Sequence, residues 1–421
     1  MNLFLLLSVC LWAEQVFADH PGQGSEKLPD LIAEALANSP AISAEGELLK
    51  AAKDHESIAV SSFSPSLSAA AGRKIEGGGD VPVFKGSPFA QLDATWNLYR
   101  GRGDQFKKDI ASIEAQIVSS ELEAKKMSLA SSVAHTFAEI QNTSESLDVI
   151  EKMISAVRHG KDTARRRFST GQTTSVDALE FEILDDKLRS QRAAYQADEV
   201  TLTQQMRSLL GRPETQLVKV QGHLPRATGQ LDQTELTTRL LSKNQDLAIA
   251  NLKVEQAKSE INVSTSKFLP LVDAKGSWGR LSTSPISTKR MSWSAEIRMT
   301  MPIFSGLSTV KDRSAKIHEK AAYELDVVNI QKTVQTELYS LVSRLKSLEK
   351  RQILEENTSE KADKYLQMTN AAYGRGIKSS ADLAAAFELV LAVHLRNLEF
   401  RKEWCRTKFG IQTLTGSLPS L

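Results

Sequence analysis

The sequence repeats itself at one constant offset of 205 residues, and this duplication constrains the fold more than any other feature. The matched positions include Ala52 with Ala257, Pro65 with Pro270, Gly101 with Gly306, Gly171 with Gly376 and Asp177 with Asp382. Shared helix composition alone would not keep Pro, Gly and Asp in phase over about 180 residues without a gap. We therefore divide the chain into a first repeat at 19–213, a connector at 214–233 and a second repeat at 234–421.

The first 18 residues predict a secretory signal peptide. Residues 3–13 form an apolar run, and Val16-Phe17-Ala18 is typical of a cleavage site before Asp19. No Lys or Arg precedes the run, so a buried or disordered N-terminus is one alternative. A lipoprotein cleavage box ending at Cys10 is another. Removal of the peptide would leave Cys405 as the sole cysteine, which excludes an intrachain disulfide.

Each repeat predicts the same four elements in the same order. Helices are predicted at 30–62 and 235–267, β-hairpins at 64–99 and 269–304, long helices at 104–168 and 309–373, and final helices at 175–210 and 380–415. The apolar residues of the second long helix step by four and three, as in a coiled coil, at Val334, Leu338, Leu341, Leu345 and Leu348. A helix of ~65 residues extends roughly 100 Å, which is too long for a globular domain.

The hairpin segments alternate apolar and polar residues, which predicts strands with one apolar and one polar face. The clearest apolar set is Trp293, Ala295, Ile297, Met299 and Met301. This pattern is typical of outer-membrane strands, although a soluble sheet with one wet face alternates in the same way. Open sheet edges cannot face lipid, and four strands per chain are too few for a closed barrel. In a membrane the chain would therefore have to oligomerise.

Both long helices end in a glycine turn and restart with a capping box. Gly171 and Gly376 suit the left-handed position, and Thr174-x-x-Asp177 and Ser379-x-x-Asp382 begin the next helices. Capping alone would account for both aspartates, with about 0.5–2 kcal/mol of helix stabilisation each.

These duplicated motifs resemble the TolC family of outer-membrane efflux and secretion channels over residues 28–419. The resemblance implies a mainly α fold in which three protomers share a twelve-stranded β-barrel in the outer membrane of a Gram-negative bacterium. Their helices would form a periplasmic tunnel about 100 Å long. The homotrimer would be the passive exit duct of a tripartite efflux pump or a type I secretion system. Its partners would be a periplasmic adaptor protein, an inner-membrane transporter and outer-membrane lipid.

The resemblance also assigns site residues at the turns. Asp382 occupies the position of an acidic ring at the constriction, while Ala385 stands where many relatives carry a second acid. Asp177 and Tyr373 match a pair that keeps the channel closed, and Lys378 matches a basic gate residue. Adaptor docking is expected at the two turns, with Gly171, Gly376 and Phe168.

Other functions find little support in the sequence. The histidines are scattered, and no phosphate loop or nucleophile elbow is present, so we expect no catalytic residues, no metal and no cofactor. Basic residues cluster at 158–167 without interleaved aromatics, which favours a solvated or adaptor-facing surface over nucleic acid. A soluble periplasmic coiled-coil scaffold remains the alternative function. The cargo, whether drugs, metals or proteins, leaves no signature.

Overall fold

A computed structural model describes residues 26–74, 87–171, 174–213, 218, 220, 222–226, 232–281 and 291–421. The signal peptide predicted at 1–18, with Cys10, lies outside these residues. So do both hairpin tips and most of the connector at 214–233.

The two repeats contain the same elements, so the predicted mainly helical, duplicated fold is confirmed. The first repeat consists of α1 (Leu28–Asn38), α2 (Pro40–Ser61), β1 (Ser66–Lys74), β2 (Ser87–Arg100), α3 (Gly103–Ser169) and α4 (Ser175–Leu210). The second consists of α5 (Gln233–Lys243), α6 (Gln245–Ser266), β3 (Leu271–Arg280), β4 (Ser292–Thr300), α7 (Ser308–Gly374) and α8 (Ser380–Leu414).

The opening segment of each repeat is two helices, where one continuous helix was predicted. The first segment breaks at Ser39, because Pro40 has no N–H to continue the helical hydrogen bonds. Ser39 adopts an extended conformation, and its hydroxyl accepts the N–H of Ile42 to begin α2. Asn244 does the same for Leu247 in the second repeat, although no proline follows it.

The four strands form one antiparallel sheet in the order β1-β2-β3-β4. Strand β2 pairs with β3, so the central ladder joins the two repeats, with Leu92 opposite Trp278 and Tyr99 opposite Val272. A bulge lies between Asn97 and Tyr99. Strands β1 and β4 are the edges, and within the described protomer neither has a second neighbour.

Helices α3 and α7 each contain 67 residues and run from the sheet to the glycine turns. Each pairs with the helix that follows it, α3 with α4 and α7 with α8, and α3 also packs against α8. The predicted seam of α7 is buried at Val334, Leu338, Leu345 and Leu348. In the described parts of the chain, no helix combines the length and apolar character needed to cross a membrane.

The buried side chains form two clusters along the helices. The first lies around the middle of the long helices and includes Phe137, Trp404 and Phe409. Part of the connector is fixed to it, since the buried Leu224 donates its N–H to Glu145 at 2.7 Å and accepts a bond from Arg401. The second cluster lies near the glycine turns and includes Phe181 and Tyr373. It packs the two helical hairpins against each other.

Candidate gate at the helical turns

The two turn glycines have nearly identical backbone conformations. Gly171 and Gly376 have φ values of +72° and +76°, and each donates its N–H at 3.0 Å, to Phe168 and Tyr373 respectively. A Cβ on either glycine would meet nothing within 4 Å. The left-handed backbone, not crowding, therefore requires glycine here. Both turns are exposed at the end of the molecule opposite the sheet.

Both predicted capping boxes are present. The N–H of Thr174 donates to Asp177 Oδ2 at 3.2 Å, and the N–H of Ser379 donates to Asp382 Oδ2 at 3.0 Å. Lys378 Nζ lies 3.2 Å from the other oxygen of Asp382. Hydrogen bonds from the Ser379 backbone and hydroxyl, followed by Lys378, hold the pKa of Asp382 below its ordinary value. The exposed Asp382 therefore carries a full negative charge at neutral pH.

Asp177 also links the two repeats. Its Oδ1 accepts a hydrogen bond from the hydroxyl of Ser380, the first residue of α8, which also contacts Glu180 Oε2. Ser380 is only 2% exposed, so this contact is shielded from water. A hydroxyl has one proton, so Ser380 can donate to one carboxylate at a time. The arrangement holds two carboxylates of α4 against the start of α8.

Tyr373 lies in the same cluster but forms a different kind of contact. It is 3% exposed, its ring meets Phe181 edge-on at 5.9 Å, and the guanidinium of Arg167 lies 4.9 Å from the ring centre. Burial raises the pKa of its phenol; Arg167 opposes the rise, and Asp177 and Glu180 add to it. Its hydroxyl has no hydrogen-bond partner among the described residues. The predicted Asp177–Tyr373 pair is thus brought together without a hydrogen bond between the two side chains.

The sequence reasoning did not single out Ser380, Glu180 or Arg167 as parts of the site. Ser380 directly follows the capping serine and carried no separate signal. Arg167 was one of a basic cluster read as surface. Its η1 and η2 nitrogens donate to the carbonyls of Tyr373 and Gly374 at 2.8 and 2.6 Å.

Two other members of the basic cluster at 158–167 form ion pairs. Lys161 lies 3.4 Å from the buried Asp185 of α4, which also pairs with Arg189 of the same helix at 3.1 Å. Burial acts to raise the pKa of Asp185, but the hydrogen bonds from Arg189 and Lys161 outweigh it and lower this pKa. Arg165 pairs with Glu182. Two of the cluster's cations, Lys161 and Arg165, are therefore paired with acids of α4.

The exposed surface of the turns is partly apolar. Phe168 is 50% exposed, and Val176, Leu179 and Ile377 also face solvent. Among the described residues, no group of three or more His, Cys, Asp and Glu side chains could hold a metal ion.

Two tandem units of this build, with a four-stranded sheet at one end and paired helical turns at the other, are the fold of solved outer-membrane channels. The chain belongs to the outer membrane efflux protein family, whose model matches residues 31–212 and 236–417. It is therefore an outer-membrane protein, and the soluble scaffold that the sequence left open is set aside. The family and the structural neighbours are channels.

Three solved structures illustrate the similarity in fold. VceC from Vibrio cholerae is 14% identical with a TM-score of 0.81, and the match covers 93% of this chain and 97% of that one. The MtrE channel of Neisseria gonorrhoeae, in its open state, is 16% identical with a TM-score of 0.80 and coverages of 93% and 89%. A membrane protein from Pseudomonas aeruginosa is 16% identical with a TM-score of 0.83 and coverages of 93% and 90%. No curated protein sequence matches this chain significantly.

Proposed function

We propose that three copies of this chain form a closed duct that serves as the exit of a tripartite efflux pump or a type I secretion system. The observation that carries the proposal is a sheet of four membrane-type strands with two unpaired edges, built from a duplicated unit. Because lipid offers no hydrogen bonds, β4 of one copy needs β1 of the next. Three copies would close a barrel of twelve strands, within the size range of outer-membrane barrels.

The pairing of β2 with β3, which joins the two repeats within one chain, predicts how β4 would pair with β1 of the next copy. Tyr99 of β2 lies opposite Val272 of β3, and the 205-residue offset converts this pair into Phe304 opposite Leu67 of the next copy. Strand β2 extends to Arg100, whereas β4 ends at Thr300 and Phe304 is 80% exposed. The missing end of β4 is the part that a neighbouring β1 would complete.

The glycine turns supply the gate in this proposal. Contacts between α4 and α8, through Asp177 and Ser380, would keep the two hairpins of each copy together at the closed end. Asp382, one per copy, would form an acidic ring at the constriction, with Lys378 beside it. Substrate would pass without chemical change, and the transporter in the inner membrane would supply the energy.

The exposed turns would be the docking point of the periplasmic adaptor. Gly171 and Gly376 present open backbone at this end, and Phe168 and Ile377 add apolar surface. Exposed apolar groups in a polar surround are typical of protein–protein contacts.

The Asp382 ring gives a test of the duct. In planar bilayers we expect cation-selective pores whose selectivity is the same at pH 7 and pH 5. Because the pKa of Asp382 is lowered, its charge is lost only as pH falls below the ordinary value of 3.8. Asp382→Asn should reduce the reversal potential in a KCl gradient at both pH values. The matched control Asp326→Asn removes an exposed carboxylate far up α7 and should change nothing. Absence of pores from the wild-type protein would contradict the proposed function.

A further inference from the structure

We propose that Arg167 is a positioning residue of the gate, a clasp by which the first hairpin holds the end of α7 in its resting place. This inference rests on the proposed function, since it concerns how the duct stays closed. It goes beyond the gate residues expected from the sequence, none of which lies on α3.

Arg167 makes three contacts with a single turn. Its two η nitrogens donate to the carbonyls of Tyr373 and Gly374 at 2.8 and 2.6 Å, and its guanidinium carbon lies 4.9 Å from the centre of the Tyr373 ring. A planar guanidinium can bind two neighbouring acceptors and stack on an aromatic face at once, which an ammonium cannot do. The three contacts would have to break together if α7 moved away.

The Arg167 guanidinium lies at the C-terminal end of α7, where the charge of the helix end strengthens its hydrogen bonds. Tyr373 and Gly374 are the last residues of α7, where the helix carries partial negative charge. The Tyr373 carbonyl accepts one backbone hydrogen bond, from Gly376, and Arg167 supplies a second donor. A cation at this end is therefore favoured over one placed elsewhere on the helix. Tyr373 is in turn held by Phe181 of α4, so the clasp joins a packed cluster and not a free surface.

The clasp acts in one direction. The 205-residue offset places Ala372 where Arg167 would recur, so the second repeat has no guanidinium at the equivalent position. Phe168, the counterpart of Tyr373, is accordingly half-exposed, whereas Tyr373 is buried. The duplicated fold alone therefore does not require this contact.

Single-channel recording on the whole protein in planar bilayers tests the clasp. Arg167→Gln should raise the open fraction about tenfold, the change expected for loss of a charge-assisted hydrogen bond. Arg167→Lys keeps the charge but loses the two-pronged contact, so it should also raise the open fraction. Among the residues that the structure describes, the side chain of the neighbouring Arg166 bonds only to Thr163, on its own helix. Arg166→Gln is therefore the matched control and should behave as wild type.

Two outcomes would overturn the proposal. Ser380→Asp, which would set a third carboxylate against Asp177 and Glu180, serves as the comparison. If it opens the pore while Arg167→Gln and Arg167→Lys gate as wild type, the clasp is wrong and the duct stands. If the wild-type protein forms no pore, the proposed function fails and the clasp fails with it. We expect the melting temperature, followed by circular dichroism, to be unchanged in both Arg167 variants. A lower melting temperature with wild-type gating would instead mean that Arg167 has a merely structural role.

Discussion

Replacing Gly306 with alanine is expected to prevent assembly of the trimer while leaving the protomer folded. Its counterpart Gly101 shows why. A Cβ on Gly101 would lie 2.7 Å from both the Cβ of Leu269 and the carbonyl oxygen of Ser266, at the contact between the two repeats. A Cβ on Gly306 would meet nothing within 4 Å in the same protomer. In the proposed ring, the offset places Ser64 and Ser61 of the next copy at that spot.

The substitution also has a local cost that must be separated from the clash. Gly306 has φ of +64°, and a left-handed conformation costs an alanine about 1–2 kcal/mol. Gly171→Ala is the matched control, since φ is +72° and its surroundings are open. We expect Gly306→Ala to run as a monomer in detergent by analytical ultracentrifugation, with Gly171→Ala remaining trimeric. Trimeric Gly306→Ala would argue against the proposed junction.

Ser380→Asp is expected to open the gate more than any other single substitution at the turns. It would place a third carboxylate against Asp177 and Glu180, where the Ser380 hydroxyl now provides the hydrogen bond. Each like-charge pair at about 4 Å costs about 4 kcal/mol near a protein surface. An acid at the first position of α8 is favourable for the helix itself, so the repulsion acts on the junction between hairpins and not on the helix.

The repeat supplies the control for this experiment. Ser175 occupies the same position on α4, but it is exposed. Ser175→Asp should leave single-channel conductance unchanged, whereas Ser380→Asp should raise it severalfold. Adding Asp177→Asn and Glu180→Gln to Ser380→Asp removes the repulsion and should restore a low conductance. Failure of this rescue would show that Ser380→Asp acts by another route.

Local patterns in the sequence were sufficient to predict the repeated architecture. The strand alternation, the coiled-coil seam and the capping boxes each depend on residues close together in the chain, and the 205-residue offset repeats these local patterns in the second half. The structure contains all of them. The break at Ser39 was also within reach, because Pro40 cannot continue a helix. The equivalent break at Asn244 could be read only by analogy with the first repeat, since no local residue forbids a helix there.

The contacts of the gate were less predictable for a physical reason. Arg167 and the carbonyl of Tyr373 are 206 residues apart, and their meeting depends on how two coiled-coil hairpins are rotated against each other. Sequence spacing does not fix that rotation. For the same reason the sequence could not predict the partner of Asp177, which bonds to Ser380 and not to Tyr373. The second hairpin was predicted to end at Phe304, but β4 ends at Thr300. In the proposed barrel, the partner of this end would be β1 of another copy.

The central claim is that copies of this chain close into a ring through β4 and β1, and a disulfide between copies tests it most directly. Antiparallel partners have Cα atoms about 4.5–5.5 Å apart, which suits a disulfide. Native Cys405 should not interfere, because burial raises the pKa of its thiol to about 12. On a non-reducing gel of outer membranes, Phe304→Cys with Leu67→Cys should give covalent dimers and trimers. Phe304→Cys with Ser68→Cys, whose side chains point to opposite faces, should give monomers. Monomers from the first pair, or equal cross-linking by both pairs, would contradict the closed ring.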